Sequence, residues 1–451
     1  MKLYFENFIM KGEKYFLQCN KCNYKIKDFA DWFKYGQKCP DCNSLLVNVG
    51  YYDDMKKLIA MLRDKSFNPS SLWAYFDYLP LKNRKNIVSS GSEGVVPVDR
   101  WNFLESFAKE KYNINILVYA HRHDDNYSTG TFKDLAGTVV ASVLKENNIR
   151  RYVVASTGNI GVAYSCYLAA AGISLSAFIP QIAIKSQEAE IGCFGQTVFR
   201  VDGDYHRAKE LAKEYANKYN ILLAAGNFDP MRIEAKKTMV YEWLRLLPQL
   251  PTVYMQALSG GSGPIGIAKA SEELGNMNLK RFKMPRFILT QPENCAPMAH
   301  AWADAKSKNF PQGWEYQYPV YVNPVTRIQT LSTGNPTAYP VVGSLVHKSG
   351  GEIISYNEDR TVDVSRLIAY EAAIRMGPAS AINVGGFFES LKNGYFREGD
   401  VVLLNIGEGI RRAPDFIEYL SYTSKFVSNI NDCKPVKRES YRDQLWKMVD
   451  S

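Results

Sequence analysis

The chain has 451 residues, of which 46% are hydrophobic, enough for about three domain lengths, or one small module plus a large two-lobed unit, around a sizeable core. A net charge of +9 and a pI of about 8.9 suit the handling of anions, yet the charge is mild and spread along the sequence, so nucleic-acid binding does not follow. The first 17 residues alternate charges with aromatics and lack both an apolar segment and a small-residue cleavage site, so a cytoplasmic setting without a secretory signal is expected.

Cys19-x2-Cys22 and Cys39-x2-Cys42 lie 16 residues apart, matching the two knuckles of a zinc ribbon. Four thiolates close a tetrahedral shell, and the Pro40-Asp41 turn helps to aim amides at sulfur. Such a shell leaves no open position, so the metal is expected to be structural rather than catalytic. The expected compartment argues against two disulfides. Cys166, Cys193, Cys295 and Cys433 show no ligand spacing and read as ordinary reduced thiols.

Residues 51–100 are rich in aromatics, including Trp73-Ala74-Tyr75-Phe76-Asp77-Tyr78-Leu79-Pro80, and read as loop. From there the pattern alternates. Short β-branched runs at 116–119, 152–155, 175–179, 197–201, 252–257, 286–290 and 401–405 are interleaved with helical segments such as 205–219 and 265–274. This predicts an α/β fold, a mostly parallel sheet covered by helices on both faces, with functional groups beyond the carboxyl ends of the strands.

Lys133, in Ser128-Thr129-Gly130-Thr131-Phe132-Lys133-Asp134, falls in the first turn of a helix that runs through 135–144. The macrodipole is positive there, and a structural lysine favours the other end. A lysine that must spend time neutral is better tolerated, because desolvation and positive potential both lower its pKa. The plain alternative is a solvated lysine that happens to fall early in a helix.

The charge-free stretch 152–184 contains Gly158, Gly161, Gly172 and Pro180, and parses as strand, loop, helix, turn and strand rather than as a membrane span. Its first strand runs straight into Ser156-Thr157-Gly158-Asn159-Ile160-Gly161 and a helix over 162–171. Amides and hydroxyls converge there on an anion such as a carboxylate. A second turn, Ser259-Gly260-Gly261-Ser262-Gly263-Pro264-Ile265-Gly266, follows the strand 252–257 and opens another helix. Successive glycines let backbone amides approach a phosphate, and Ser262 adds a hydroxyl. The spacing is neither that of a P-loop nor a good dinucleotide fingerprint, and no convincing ribose-binding acid follows about 20 residues on, which disfavours a nicotinamide dehydrogenase. An imine-forming lysine, a carboxylate site and a phosphate cup are the parts that a pyridoxal phosphate enzyme needs.

On these motifs the chain resembles, over nearly its whole length, the fold-type II pyridoxal phosphate enzymes, and within them threonine synthase and cysteate synthase. Thr129-Gly130-Thr131-Phe132-Lys133-Asp134 is similar to the family's Schiff-base motif, with Lys133 as its lysine. Ser156, Thr157, Gly158 and Asn159 resemble the substrate-carboxylate loop, Asn159 also reaching the cofactor's 3′ oxygen, and Gly260, Gly261, Ser262 and Gly263 resemble the phosphate loop. Asn227-x2-Pro230-x-Arg232-x-Glu234-x2-Lys237-Thr238 is similar to a stretch of threonine synthases, and an N-terminal zinc ribbon occurs in this neighbourhood of the family. Two departures stand out. Leu135 replaces the arginine usual in threonine synthases, which, with residues 73–80 and Gln256-Ala257, leans toward the cysteate synthase branch. In Leu403-Leu404-Asn405-Ile406-Gly407-Glu408-Gly409 no hydroxyl is offered to the cofactor's ring nitrogen, so Glu408 or Asn405 is expected in its place.

The resemblance implies a tryptophan synthase β-like fold of two α/β lobes with mostly parallel sheets plus the small ribbon. Residues 1–48 would form the ribbon, 49–145 and 241–451 the large cofactor-binding lobe, and 146–240 the small lobe. It implies pyridoxal phosphate as cofactor beside the ribbon's zinc, a small amino-acid substrate, no membrane, and a chain compatible with a homodimer. Lys133 would serve as the α-proton base, with Arg122, His123 and Arg232 as candidate cations for a leaving phosphate or an incoming anion. The expected reaction is cysteate synthase-like replacement, O-phosphoserine plus sulfite giving cysteate and phosphate. Threonine synthase, O-phosphohomoserine plus water, is the alternative. A non-catalytic zinc-ribbon binding protein with a decayed enzyme domain is the alternative of another class.

Overall fold

Alternating burial makes β1 (Tyr15–Cys19) a one-faced strand. It pairs antiparallel with β2 (Lys25–Ile26) and β3 (Val47–Tyr51), Leu17 standing opposite Ile26 on one side and Val49 on the other. Tyr15, Leu17, Phe29 and Trp32 are buried beneath this ribbon, the rings of Phe29 and Trp32 meeting edge-on at 5.6 Å. Strand β3 carries the sheet on to Tyr51, past the bound expected at residue 48. The computed structural model describes residues 13–52, 56–156, 158–275, 283–420, 425–435 and 438–450.

The stretch expected as loop instead holds a helix, Lys56–Arg63, and the 3-10 helices Leu72–Tyr78 and Arg84–Asn86. Its aromatics are inward-facing. Trp73 Nε1 donates to Thr138 Oγ1 at 2.7 Å, and Tyr75 Oη donates to the Glu242 carboxylate.

The remaining strands are β4 (Val98–Arg100), β5 (Leu117–His121), β6 (Arg151–Ala155), β7 (Ser174–Pro180), β8 (Thr197–Val201), β9 (Leu222–Leu223), β10 (Val253–Ala257), β11 (Arg286–Pro292), β12 (Glu352–Tyr356) and β13 (Val401–Asn405). One sheet runs β12-β11-β10-β13-β5-β4, parallel except for its β4 edge. The other runs β8-β7-β6-β9 and is parallel throughout. Parallel neighbours need crossovers, and buried helices supply them. In Lys133–Glu146 every residue from Asp134 to Leu144 is buried, each such valine or leucine contributing about 1.5–3 kcal/mol. The charge-free stretch resolves into β6, the helix Asn159–Ala170 and β7. Among the described residues no helix is long and apolar enough to cross a membrane.

This topology places the motifs. Ser156 follows the end of β6, Ser259 the end of β10 and Glu408 the end of β13, while the Lys133 loop follows β5. Strands β10, β13 and β5 are consecutive and parallel, so three of these four segments leave the same edge of one sheet.

Candidate active site

Lys133 opens its helix because the loop before it is tied down locally. Its amide donates to Thr131 Oγ1 at 3.1 Å, and Asp134 accepts from Thr129 N at 2.9 Å and from Thr129 Oγ1 at 2.5 Å. Gly130 is left-handed at φ +70°, so its backbone favours glycine, and a Cβ there would have to displace the Arg411 side chain. Burial, and then the charge of Arg232, lower the Lys133 amine to about 7, with Glu408 pulling the other way.

At the end of β6, Ser156 Oγ accepts from Gly158 N at 3.0 Å and from Gly161 N at 3.1 Å, so this hydroxyl caps the turn. A Cβ on Gly158 would lie 2.9 Å from both Gln187 Nε2 and Thr330 Cγ2. Asn159 then begins the helix. Its Nδ2 donates to Glu408 Oε2 at 2.6 Å and its Oδ1 accepts from Arg412 Nε at 3.1 Å. The second Glu408 oxygen accepts from Ala379 N at 3.1 Å.

After β10 the chain is pressed from both sides. A Cβ would lie 2.1 Å from Asn227 Oδ1 at Gly260, 2.4 Å from Val342 Cγ2 at Gly261, which also has φ +85°, and 2.2 Å from Gln256 Oε1 at Gly263. Ser262 opens the helix Ser262–Gly275, and its Oγ accepts from Lys236 Nζ at 3.3 Å.

These segments meet at one cavity of about 1040 Å3, lined by Lys133, Ser156, Gly158, Asn159, Arg232, Gly260, Gly261, Ser262, Gly263 and Glu408. Thr157 lies outside the described residues. Arg122 and His123, expected to face an anion, do not line it. Arg122 is held at 2.8 Å by Asp124 and at 3.0 Å by Asp99. His123 is buried against His121, ring centroids 4.1 Å apart, and burial holds its pKa far down, so it is a neutral core residue. The cavity gains residues that no sequence motif marked. Ser380 lines it, as do Gly36, Gln37, Lys38 and Leu45 of the ribbon, while Asn227, which also lines it, opens the stretch similar to threonine synthases. Arg412, buried behind Asn159 and ion-paired to Glu190, carried no signal beyond following the Glu408 turn.

Residues 90–407 match the pyridoxal-phosphate dependent enzyme family. The chain belongs to this family. It is similar to threonine synthase from Methanocaldococcus jannaschii, 24% identical over 404 residues covering 88% of this chain and 95% of that protein. It is also similar to cysteate synthase from Methanococcoides burtonii, 25% identical over 400 residues covering 88% of this chain and 89% of that one. In fold it resembles the structure of diaminopropionate ammonia lyase from Escherichia coli, with a TM-score of 0.60 at 14% identity over 74% of this chain and 89% of that one. The protein is thus a fold-type II pyridoxal phosphate enzyme of the lyase and synthase kind, which sets aside the non-catalytic reading.

The residues present fit that cofactor. The cavity joins an amine brought near neutrality, a turn with no room for a Cβ, and a serine hydroxyl backed by a lysine. Asn405 also lines it, and among the described residues neither polar atom of its side-chain amide has a hydrogen-bond partner, whereas both Glu408 oxygens are engaged. The cysteine cluster fits a metal. The Sγ atoms of Cys19, Cys22, Cys39 and Cys42 lie within 4.8 Å of one another, with Cys19 to Cys42 and Cys22 to Cys39 at 3.5 Å. Sulfurs about 2.3 Å from a tetrahedral zinc stand about 3.8 Å apart.

Proposed function

We propose that this enzyme replaces the phosphate of an O-phospho-amino acid, with O-phosphoserine and sulfite as the pair and cysteate and phosphate as products. The carbon–oxygen bond to phosphate breaks and a carbon–sulfur bond forms at the β-carbon. The reading rests on one observation: Lys133, the Asn159 turn, the Gly260–Gly263 turn and Arg232 line a single cavity. A phospho-amino acid brings a carboxylate and a phosphate of its own in addition to the cofactor's phosphate, and this cavity offers separate groups for the three. When bound, pyridoxal phosphate supplies the electron sink that acidifies the α-proton. Lys133, as a half-buried amine near neutrality, holds the cofactor and then takes that proton. The turn before the helix Asn159–Ala170 orients the carboxylate, with Asn159 held in one orientation by Glu408 and Arg412. Arg232, whose Nη1 donates to Gly226 O at 2.7 Å, presents its charge to the leaving phosphate. Asn405 stands in for the missing hydroxyl at the ring nitrogen. The four cysteines hold a structural zinc, and the ribbon, extended to Tyr51, walls one side of the cavity.

The comparison with the M. jannaschii protein favours a second reading, O-phosphohomoserine plus water giving threonine, because it covers 95% of that protein. One assay separates the two. Each phospho-amino acid is offered with its partner, and phosphate release and product identity are measured. Sulfite-dependent cysteate is expected. Release from neither substrate would sink the phospho-amino-acid reading. The purified protein is expected to be yellow, and Lys133→Ala to abolish that colour and all turnover, whereas wild-type protein that stays colourless after reconstitution would overturn the cofactor assignment to Lys133.

A further inference from the structure

Lys236 is a buried lysine directly behind the phosphate cup. It lies on the helix Pro230–Leu246, and its Nζ donates to Ser262 Oγ at 3.3 Å. It sits 4.3 Å from the centre of the Phe132 ring, the same ring that Lys133 Nζ approaches at 3.9 Å. Its side chain has no solvent exposure, and among the described residues no carboxylate pairs with it. The neighbouring Lys237 shows the contrast, being equally buried but matched by Glu234 at 2.6 Å and Glu273 at 3.2 Å. Isolated buried ammonium ions are costly, and burial, with Lys133 and Arg232 adding to it, keeps the Lys236 amine well down.

The position is built by the fold. A Cβ on Gly266 would lie 2.8 Å from Lys236 Cβ and 2.9 Å from Ile233 O, so this glycine lets the helices Pro230–Leu246 and Ser262–Gly275 close on each other at Lys236. The lysine therefore meets the first residue of the second helix, where free amides already favour an anion. Because Lys236 donates to Ser262 Oγ, the serine's own hydrogen is left to be given to a ligand.

We propose that Lys236 is the counter-charge of the phosphate cup, a positioning residue that acts through Ser262 on the phosphate ester of the cofactor. The inference rests on the reading of the Gly260–Gly263 turn as that cup. A phosphate dianion there supplies the anion that the buried amine lacks, and the amine in turn polarises the Ser262 hydroxyl. The glycine amides and the helix terminus give direction, and Lys236 adds charge.

The test compares pyridoxal phosphate with pyridoxal, which lacks the phosphate, on the full-length enzyme stripped of cofactor. Lys236→Gln keeps a donor for Ser262 without the charge, Lys236→Met removes both, and Lys236→Arg restores a cation. Loss of a charge-assisted interaction predicts that Lys236→Gln and Lys236→Met raise the Kd for pyridoxal phosphate by about tenfold or more, with pyridoxal changed by less than about twofold and Lys236→Arg recovering most of the loss. A purely structural role would weaken both ligands alike, and that outcome, or no change in either, overturns the proposal. A rise in KM for the phospho-amino acid with unaltered cofactor affinity would instead place Lys236 on the substrate's phosphate, and also overturns it. Borohydride reduction followed by peptide mapping should find the cofactor on Lys133; a label on Lys236 would refute the positioning role. Failure of the wild type to take up either ligand would strike at the cofactor site itself, an outcome distinct from any difference among variants.

Discussion

Lys133 stands between two opposed charges, and this sets an expected pH dependence. With its amine lowered to about 7, the nucleophilic free base gains population as pH rises through neutrality, so cofactor uptake by stripped enzyme should accelerate and level off above that point. Glu408 favours the ammonium form, so Glu408→Gln should move the midpoint down; Arg232 disfavours it, so Arg232→Gln should move the midpoint up, each by roughly half a unit to one unit. Stopped-flow uptake rates across pH measure all three, and midpoints that move together in one direction would contradict the electrostatic account. The residue itself was legible in sequence because a lysine at a positive helix end is anomalous. Arg122 and His123 were misjudged because nothing in sequence shows a cation already neutralised by Asp99 and Asp124, or an imidazole stacked in the core.

Elements with one buried stripe were readable, and elements buried all round were readable where a motif flanked them, as at the helix Lys133–Glu146. The helix Tyr205–Tyr219 coincides with its predicted span because Ala208, Ala212 and Ala216 recur on one face behind an Asp204 cap. The helix Pro378–Lys392 is buried from Pro378 through Phe388 and so has no stripe to read, and the short strand β12 went unread beside it. The helix Pro230–Leu246 misleads in the opposite sense, since Arg232, Glu234, Lys236, Lys237 and Glu242 would ordinarily mark a solvated face but are all buried. The turn between β10 and its helix was legible from its glycines, and the structure gives the reason: Gly261 combines φ +85° with Val342 Cγ2 only 2.4 Å from where a Cβ would stand. Gly261→Ala should therefore destabilise the protein by about 1–3 kcal/mol and weaken pyridoxal phosphate more than pyridoxal, as read by melting curves and ligand titration. An unchanged melting temperature and cofactor affinity would show that the turn yields freely.

At the scale of the molecule the ribbon and the cofactor site are joined by charge. Tyr51 Oη, at the end of β3, donates to Glu234 Oε2 at 2.5 Å, and Lys269 Nζ donates to Val49 O at 2.8 Å. Behind these contacts Glu234 meets Lys237 at 2.6 Å and Lys269 at 2.9 Å, while Glu273 meets both lysines, so two acids and two bases balance beneath the ribbon sheet. Glu234 shares the helix Pro230–Leu246 with Arg232 and Lys236, and Lys269 belongs to the helix that Ser262 opens. The ribbon also contributes Gly36, Gln37, Lys38 and Leu45 to the cavity wall. Metal at the four cysteines would hold that wall in register with these helices, because a small ribbon with few core residues depends on its metal for folding. Chelation, or Cys39→Ser, should then do more than lower the melting temperature. Losing the Tyr51 hydrogen bond to the buried Glu234 costs about 1.5–3 kcal/mol, enough to shift the helices that carry Arg232 and Ser262. The expected signature is a raised KM and a raised Kd for pyridoxal phosphate, with cofactor that does bind still attached to Lys133. Tyr51→Phe, which cuts the link and leaves the cysteines alone, should reproduce the change in KM with metal content unaltered, as measured by atomic absorption beside steady-state kinetics. Metal-free enzyme with wild-type KM would make the ribbon a passenger on the fold.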